Sequence, residues 1–143
     1  MRVRARLEGP NARLPAYQTA GSAGCDVHAA EDIDLPKGVP TMVRTGLFLE
    51  VPEGYECQVR SRSGLASKGV IVLNSPGTLD SDYRGELRVL LYYVGPDETH
   101  YVLARDRIAQ LVFSPVVQAR FELVDELPAT DRGAGGFGST GVG

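Results

Sequence analysis

Two side chains with catalytic potential lie in one turn-forming stretch of the sequence. Asp80 and Tyr83 occur in SPGTLDSDYRGE, between the strand-like stretches VIVLN and ELRVLLYYV. Proline and glycine in this stretch predict a hairpin or tight loop, which displays a carboxylate instead of burying it. A displayed carboxylate is often only solvated, but it can also act as a general base. The Tyr83 ring could cover the sheet or offer a flat face to a sugar or a base.

A second segment has the chemistry of a phosphate site. Residues 60–64 read RSRSG and combine guanidinium groups, hydroxyls and a glycine. Arginine binds phosphate oxygens through two parallel hydrogen bonds, and glycine lets the backbone approach closely. Arginine–serine turns are also common on ordinary surfaces, so this segment alone is a weak indication.

The third segment, residues 131–143, is glycine-rich and carries Arg132 and Phe137. Its GAGGFG string matches the dinucleotide-binding pattern G-x-G-x-x-G, but that pattern requires a preceding strand and a following helix, which this context does not provide. Two interpretations remain. The segment is either a plain flexible tail or a flap that closes over a phosphorylated aromatic ligand.

Other catalytic arrangements find no support in the sequence. There is no serine in a G-x-S-x-G frame, and the two histidines, His28 and His100, show neither triad context nor metal-ligand spacing. Cys25 and Cys57 form no C-x-x-C pair and are expected to be structural thiols in a reducing compartment. We therefore predict neither covalent catalysis nor a structural metal.

The elements that position these residues are predicted to be strands. Apolar residues alternate with polar ones in four stretches, which is typical of half-buried antiparallel strands, and short turn signals separate the stretches. A single helical turn is predicted at residues 65–68. The class is all-β, either a sandwich or a jelly roll. The alternating sets are Val3, Ala5 and Leu7; Val43, Thr45, Leu47 and Leu49; Tyr55, Cys57 and Val59; and Leu87, Val89, Leu91 and Tyr93.

Composition limits the classes of partner. The chain has 143 residues, 43% of them hydrophobic, and a formal net charge of -3. These values predict one packed domain and argue against a general nucleic-acid binder, which usually carries a basic excess. No apolar stretch is long enough to span a membrane, and the charged N-terminus lacks the apolar segment of a secretory signal. We expect a cytoplasmic protein.

Five segments, in order, resemble the five motifs of the trimeric dUTPase family. The third and fifth are highly specific strings. The resemblance implies a jelly-roll-like β-barrel over residues 1–130, with residues 131–143 as a flexible flap that closes over the active site. The five segments are AGSAGCDV (20–27), RSGLASKG (62–69), GTLDSDYRGEL (77–87), DRIAQLVF (106–113) and RGAGGFGSTG (132–141).

The resemblance also implies an activity. It predicts hydrolysis of dUTP to dUMP and pyrophosphate, which would keep uracil out of DNA and supply dUMP for thymidylate synthesis. Asp80 is the implied general base, which activates water for attack on the α-phosphorus. Mg²⁺ is the implied cofactor, held mainly by the substrate phosphates, and Asp26 is expected to contact it through water.

By the same resemblance, the substrate dUTP contacts a defined set of residues. The segment from Asn74 to Tyr83 is expected to read uracil and to exclude a ribose hydroxyl, and Phe137 is expected to stack on the base. The family assembles each site from three subunits, so a homotrimer is implied, with the tail arriving from a neighbour. The substrate-binding set comprises Arg62, Ser63, Gly64, Asn74, Thr78, Leu79, Tyr83, Gln110, Arg132, Phe137 and Gly138.

Several positions depart from the family pattern. Cys25 stands where an apolar or aromatic residue is usual, Ser61 where proline is usual, and Arg105 where glycine is usual. Leu79 replaces the more common isoleucine. None of these changes removes a catalytic group, although Arg105 could alter the charge near the phosphates.

Three other functions compete with this one. A dCTP deaminase shares the fold, but Leu90 stands where that family has its catalytic glutamate, and Ser67 where its second motif ends in arginine. A non-catalytic nucleotide sensor would not require an intact Asp80. A purely structural β-domain would not explain five ordered motifs.

Overall fold

A computed structural model describes residues 1–136, and nearly all of its regular structure is β-strand. Phe137 and Gly138, both predicted to bind substrate, lie outside the described residues. The elements in chain order are β1 (Arg4–Leu7), β2 (Cys25–His28), β3 (Ile33–Pro36), β4 (Thr41–Glu50), β5 (Tyr55–Arg60), α1 (Ser63–Ala66), β6 (Val70–Val72), β7 (Gly77–Leu79), β8 (Glu86–Tyr93), β9 (Thr99–Val102) and β10 (Arg107–Pro115).

The strands form two four-stranded antiparallel sheets and one two-stranded ribbon. Sheet A has the order β1-β4-β8-β6, sheet B has the order β2-β10-β5-β7, and β3 pairs with β9. The buried side chains of both sheets belong to one hydrophobic cluster, as expected when two sheets pack face to face. The all-β prediction is confirmed. Within residues 1–136 the sheets do not join into a continuous barrel.

The longest strands follow the predicted alternation closely. On β8, Leu87, Val89, Leu91 and Tyr93 are all buried, while Arg88 between them is exposed. On β4 the predicted inward set is also buried, including Thr45. This threonine hydroxyl donates to the carbonyl of Leu87 and accepts the amide of Leu47, so the buried polar group is satisfied.

Strand β1 forms as predicted but is not half-buried. All four of its residues are exposed, and only Val3, just before it, packs against the core. The reason is its position at the edge of sheet A, where β4 is its only neighbour. Salt bridging of Arg4 to Glu50 and stacking of Arg6 on Phe48 occupy its outer face instead.

The only helix among residues 1–136 begins two residues earlier than predicted and spans Ser63–Ala66. One helical turn is far too short to cross a membrane. The last strand ends at Pro115, and residues 116–136 contain neither helix nor strand. The domain boundary predicted at residue 130 lies inside this segment.

The segment from β6 to β8 connects the two sheets. β6 pairs with β8 in sheet A, whereas β7 pairs with β5 in sheet B. The stretch predicted as a hairpin or tight loop is therefore a loop with one short strand that crosses between sheets. Asp80 follows directly after β7, and the turn at residues 80–85 then leads into β8.

Candidate active site

Four residues of the predicted site share one cavity of about 270 Å³ at the turn between β7 and β8. Asp80 and Tyr83 line it from the turn, and Thr78 and Leu79 line it from β7. Other cavities among residues 1–136 are larger, but they contain no predicted base beside an aromatic wall. The full lining is Met42, Thr78, Leu79, Asp80, Tyr83, Glu86, Leu87 and Arg88.

Asp80 is exposed, and its carboxylate has no hydrogen bond within the described part of the chain. Its backbone carbonyl accepts a hydrogen bond from the amide of Tyr83 at 3.2 Å. This bond closes the turn and fixes the backbone position of Asp80. An ionised carboxylate without a competing donor can accept hydrogen bonds from water. Among residues 1–136, the Asp80 carboxylate is therefore available to accept a hydrogen bond from a water molecule.

The ring of Tyr83 is held against the backbone of the same turn. A Cβ atom at Gly85 would collide with this ring, so the close approach depends on glycine. The Tyr83 hydroxyl donates to the carbonyl of Glu86 at 3.1 Å. Tyr83 as a whole remains 44% exposed, so part of the residue is accessible to a ligand.

A second group of predicted residues gathers around Asp26 on β2. One carboxylate oxygen accepts a hydrogen bond from Arg62 Nε at 2.8 Å, and the other accepts one from Arg107 Nη1 at 3.2 Å. Arg62 also donates to the carbonyl of Arg107 at 3.1 Å. Asp26 and Arg62, predicted as separate contacts to Mg²⁺ and phosphate, are therefore ion-paired with each other.

This Asp26 group carries an excess of positive charge. Two guanidinium groups face one carboxylate that is only 10% exposed. The neighbouring His28, opposite Arg107 in the register of β2 and β10, responds to this field. Burial lowers the pKa of its imidazole, and nearby arginines lower it further. Such a location suits an anionic ligand.

Gln110 lies between β2 and β5 on the outer face of sheet B, directly opposite Asp26 and Arg60. Its side-chain amide donates to the carbonyl of Ser61 at 2.9 Å. A Cβ atom at Gly24 would collide with the Gln110 amide oxygen. Gly24 and the backbone of Ser61 therefore hold this amide, which is predicted to lie near the α-phosphate.

The remaining predicted residues are dispersed. Ser63 and Gly64 are exposed in the first turn of α1, where amides have no intrahelical partner. Asn74 packs its amide near Gly77 and does not line the Asp80 cavity. Arg132 Nε donates to the carbonyl of Gly135 at 2.8 Å, a contact within its own turn.

One chain does not bring the two groups together. Asp26 lies on β2 and Thr78 on β7, the opposite edge strands of sheet B. Three inter-strand steps separate these edges, or about 14 Å. Within residues 1–136, the Asp80 cavity and the Asp26 group are therefore separate, and they are called the two half-sites below.

The residues around Asp26 fit a Mg²⁺ ion only if other ligands supply most of its coordination. Among residues 1–136 there is no group of three or more histidine, cysteine or acidic side chains that could cage a metal. Each Asp26 oxygen already accepts one arginine, but a carboxylate oxygen can accept a second hydrogen bond. A metal-bound water could use that position, because Mg²⁺ usually keeps several waters and binds substrate phosphates.

Two departures from the family pattern have structural explanations. Ser61 Oγ accepts the amide of Val72 at 2.8 Å and so ties the end of β5 to β6. Cys25 is buried, and its thiol donates to the carbonyl of Leu111. Both residues support the core from beside the predicted phosphate contacts.

Arg105 occupies a backbone conformation that explains the usual glycine. Its φ angle is 75°, the left-handed region in which a side chain is strained. Its amide donates to the carbonyl of Ala29 at 2.7 Å, and its guanidinium donates to Asn11 at 3.1 Å. The side chain thus contacts Asn11 rather than the Asp26 group.

Sequence reasoning missed three residues that build the site. Arg107 lies in the DRIAQ segment and completes the Asp26 pair. Glu86 and Arg88 line the Asp80 cavity. The position of Arg107 opposite His28 across β2 and β10 would have been the signal, but this register is not visible in one sequence.

The fold and the two half-sites define a class: an all-β protein with an exposed carboxylate beside an aromatic wall and a separate pair of arginines around a buried carboxylate. The dUTPase family model matches residues 10–141, which is most of the chain. The chain belongs to the dUTPase family.

Individual relatives agree with this assignment. A deoxyuridine 5'-triphosphate nucleotidohydrolase from Nautilia profundicola is 50% identical over 99% of both chains. One from Brucella melitensis is 57% identical over 90% of this chain and 85% of its own. The structure of the Staphylococcus bacteriophage 80alpha dUTPase with dUpNHpp has a TM-score of 0.85 at 27% identity, with 99% of each chain covered.

Proposed function

We propose that the protein hydrolyses dUTP to dUMP and pyrophosphate. The observation that carries this proposal is the exposed Asp80 carboxylate, which has no hydrogen-bond partner among residues 1–136 and lies in a cavity walled by Tyr83. The relatives named as nucleotidohydrolases of this substrate, and the solved 80alpha enzyme with dUpNHpp, support the same activity. In a cell, it would keep uracil out of DNA and supply dUMP, and we place it in the cytoplasm.

Asp80 acts as the general base in this proposal. Its carboxylate accepts a hydrogen bond from a water molecule, directs that water at the α-phosphorus and takes its proton as the new P–O bond forms. The bond from the α-phosphorus to the bridging oxygen breaks, and pyrophosphate leaves with the electron pair. No covalent enzyme intermediate is needed.

The turn from Asn74 to Tyr83 selects the nucleoside. Thr78 and Leu79 line the cavity, and because β7 is an edge strand, backbone groups of this strand are available to the uracil edge. The Tyr83 ring packs closely on Gly85 and is held by its hydroxyl to the carbonyl of Glu86, and in this position it would exclude a 2′-hydroxyl. Selectivity rests on exclusion of larger substrates as much as on attraction.

Arg62, Ser63, Gly64 and Gln110 bind the triphosphate. Arg62 uses Nε and Nη1 for Asp26 and the backbone, and a guanidinium has five N–H donors, so donors remain for phosphate oxygens. Arg132 approaches the γ-phosphate, while Phe137 and Gly138 close over the base. Binding would break the local contact between Arg132 and Gly135.

Mg²⁺, when bound with the substrate, neutralises charge on the phosphate oxygens and so stabilises the leaving pyrophosphate. Asp26 would hold one of the metal-bound water molecules. The arginine pair fixes the orientation of the Asp26 carboxylate, and burial keeps it from drifting into solvent.

A homotrimer would bring the two half-sites together, with each site drawn from several chains. The C-terminal segment supports this proposal. Its apolar residues alternate with polar ones, and Val117, Phe121 and Leu123 are 94%, 93% and 100% exposed. Burial of these apolar side chains would be favourable, and a neighbouring subunit could provide the surface that covers them.

Pyrophosphate release with Mg²⁺ from dUTP, dTTP, dCTP and UTP tests the function directly. We expect turnover of dUTP alone. Ammonia from dCTP would show a deaminase instead, although Leu90 offers no proton-transferring group at the position where deaminases use glutamate. No turnover of any of the four would favour a nucleotide sensor.

A further inference from the structure

Glu86 lies where sheet A meets the turn that carries Asp80 and Tyr83. It is the first residue of β8 and pairs with Phe48 at the end of the β4–β8 ladder. Ladder ends fray most easily, because they have pairing on one side only. The backbone carbonyl of Glu86 is also the acceptor of the Tyr83 hydroxyl, at 3.1 Å. The position of Tyr83 therefore depends on this strand end.

The side chain of Glu86 is anchored more strongly than a strand end usually is. It is only 6% exposed and forms ion pairs with Arg88 at 3.0 Å and Arg44 at 3.2 Å. Its Oε1 also accepts the amide of Gly46 at 2.9 Å. Burial raises the pKa of Glu86, but the Gly46 amide and the two arginines outweigh burial and hold the pKa below its ordinary value.

Two local features make this anchor necessary. β4 has an irregularity between Arg44 and Leu47 that leaves the Gly46 amide outside the regular ladder, and the Glu86 carboxylate satisfies it. Arg44 also lies directly opposite Arg88, and like charges in such cross-strand positions repel. The Glu86 carboxylate pairs with both arginines and so offsets their repulsion.

We infer that Glu86 is a positioning residue that holds Tyr83 in place and so sets the preference for deoxyribose over ribose. This inference rests on the proposed function. The chain of contact runs from Gly46 and the two arginines to the Glu86 carboxylate, through the Glu86 backbone, to the Tyr83 hydroxyl. Glu86 itself need not touch substrate for this role, although it lines the same cavity.

The test is Glu86→Gln, which preserves shape and removes charge. We expect the ratio of kcat/KM for dUTP to that for UTP to fall by about ten- to a hundredfold, the scale of a displacement near 1 Å. A merely structural role would lower stability without changing this ratio. Glu50→Gln is the matched control, because it also breaks a cross-strand arginine pair, with Arg4, but does not line the cavity.

A double-mutant cycle with Tyr83→Phe makes the test specific. Tyr83→Phe keeps the ring and removes the hydroxyl that reaches Glu86. If Glu86 acts through this hydrogen bond, the double variant should lose little more sugar selectivity than either single variant. Independent, multiplicative losses would overturn the inference.

Other outcomes are separable. If Glu86→Gln does not fold, Arg44→Gln and Arg88→Gln can be tested instead. These arginines are about half exposed, and each substitution removes one ion pair of Glu86. Unchanged selectivity in both would overturn the inference. If the unaltered protein does not hydrolyse dUTP, the proposed function fails. If it does and Glu86→Gln keeps full selectivity, only this inference fails.

Discussion

Asp80 and Asp82 stand two residues apart in one exposed turn, yet only Asp80 lines the cavity with Tyr83. Asp80→Asn should preserve folding and dUTP binding, because the amide is nearly isosteric, and should lower kcat by about a hundred- to ten-thousandfold, the usual contribution of a general base. Steady-state kinetics and calorimetric binding of dUTP would measure the two effects. Asp82→Asn is the matched control, and equal losses in both variants would contradict the assignment.

Arg105 offers a stability test that is independent of activity. Its φ of 75° strains any residue with a side chain, so Arg105→Gly should raise the free energy of unfolding by about 1 kcal/mol. Loss of the exposed hydrogen bond to Asn11 offsets only part of this gain. Urea denaturation would measure the change. Arg105→Ala retains the strain, so an equal gain in that variant would show that backbone conformation is not the cause.

The residues that could be predicted from the sequence are those whose setting is local. Asp80 and Tyr83 lie in a turn whose proline and glycine are neighbours in sequence, so their display follows from nearby residues. Arg107 could not be predicted, because its partner Asp26 lies 81 residues away and the pairing depends on the register of β2 with β10. The RSRSG segment indicates Arg62 and the family resemblance implies Asp26, but neither predicts their ion pair.

At the scale of elements, alternation of apolar and polar residues predicts burial correctly where one face of a strand packs on the core and the other does not. β4 and β8 lie inside sheet A with one face on the core, so their burial pattern is readable. β1 has the same alternation but lies at an edge, and edge position depends on the order of strands in the sheet. The alternation of residues 117–123 raises the same problem, since nothing among residues 1–136 covers its apolar side chains.

The buried thiol of Cys57, on the inner face of β5, should make the stability of the fold depend on pH. Burial raises the pKa of the Cys57 thiol from 9.0 to about 12. The folded state therefore retains a proton that the unfolded chain loses above about pH 9, so the stability linked to Cys57 is complete below that pH and is lost as the pH rises toward 12. Urea denaturation at pH 8 and at pH 10.5 would measure this effect. Between these two pH values, the free energy of unfolding should fall less in Cys57→Ala than in the unaltered protein.

Labelling gives an independent measurement of the same thiol. At pH 8 the folded protein should react with thiol reagents far more slowly than the urea-unfolded chain, because both cysteines are buried and free. Rapid labelling of folded Cys57 at pH 8 would contradict the assigned environment. Equal pH dependence in Cys57→Ala would instead place the titrating group elsewhere.

At the scale of the whole molecule, the separation of the two half-sites becomes a test of assembly. Asp80 and Arg62 belong to different half-sites, so a shared site would take Asp80 from one chain and Arg62 from another. Asp80→Asn and Arg62→Gln should each be nearly inactive alone. Mixed, unfolded together and refolded, they should regain activity, because some sites then receive both intact residues.

The amount regained follows from statistics. With equal amounts of the two variants and random assembly, about one quarter of shared sites would receive both intact residues. Sites contained within one chain would never do so, because every chain carries one of the two changes. Each variant refolded alone is the control. The opposite outcome is a refolded mixture that stays inactive while light scattering shows mixed trimers. It would mean that Asp80 and Arg62 of the same chain serve the same site. The substrate or a movement of the chain would then have to bridge the width of sheet B.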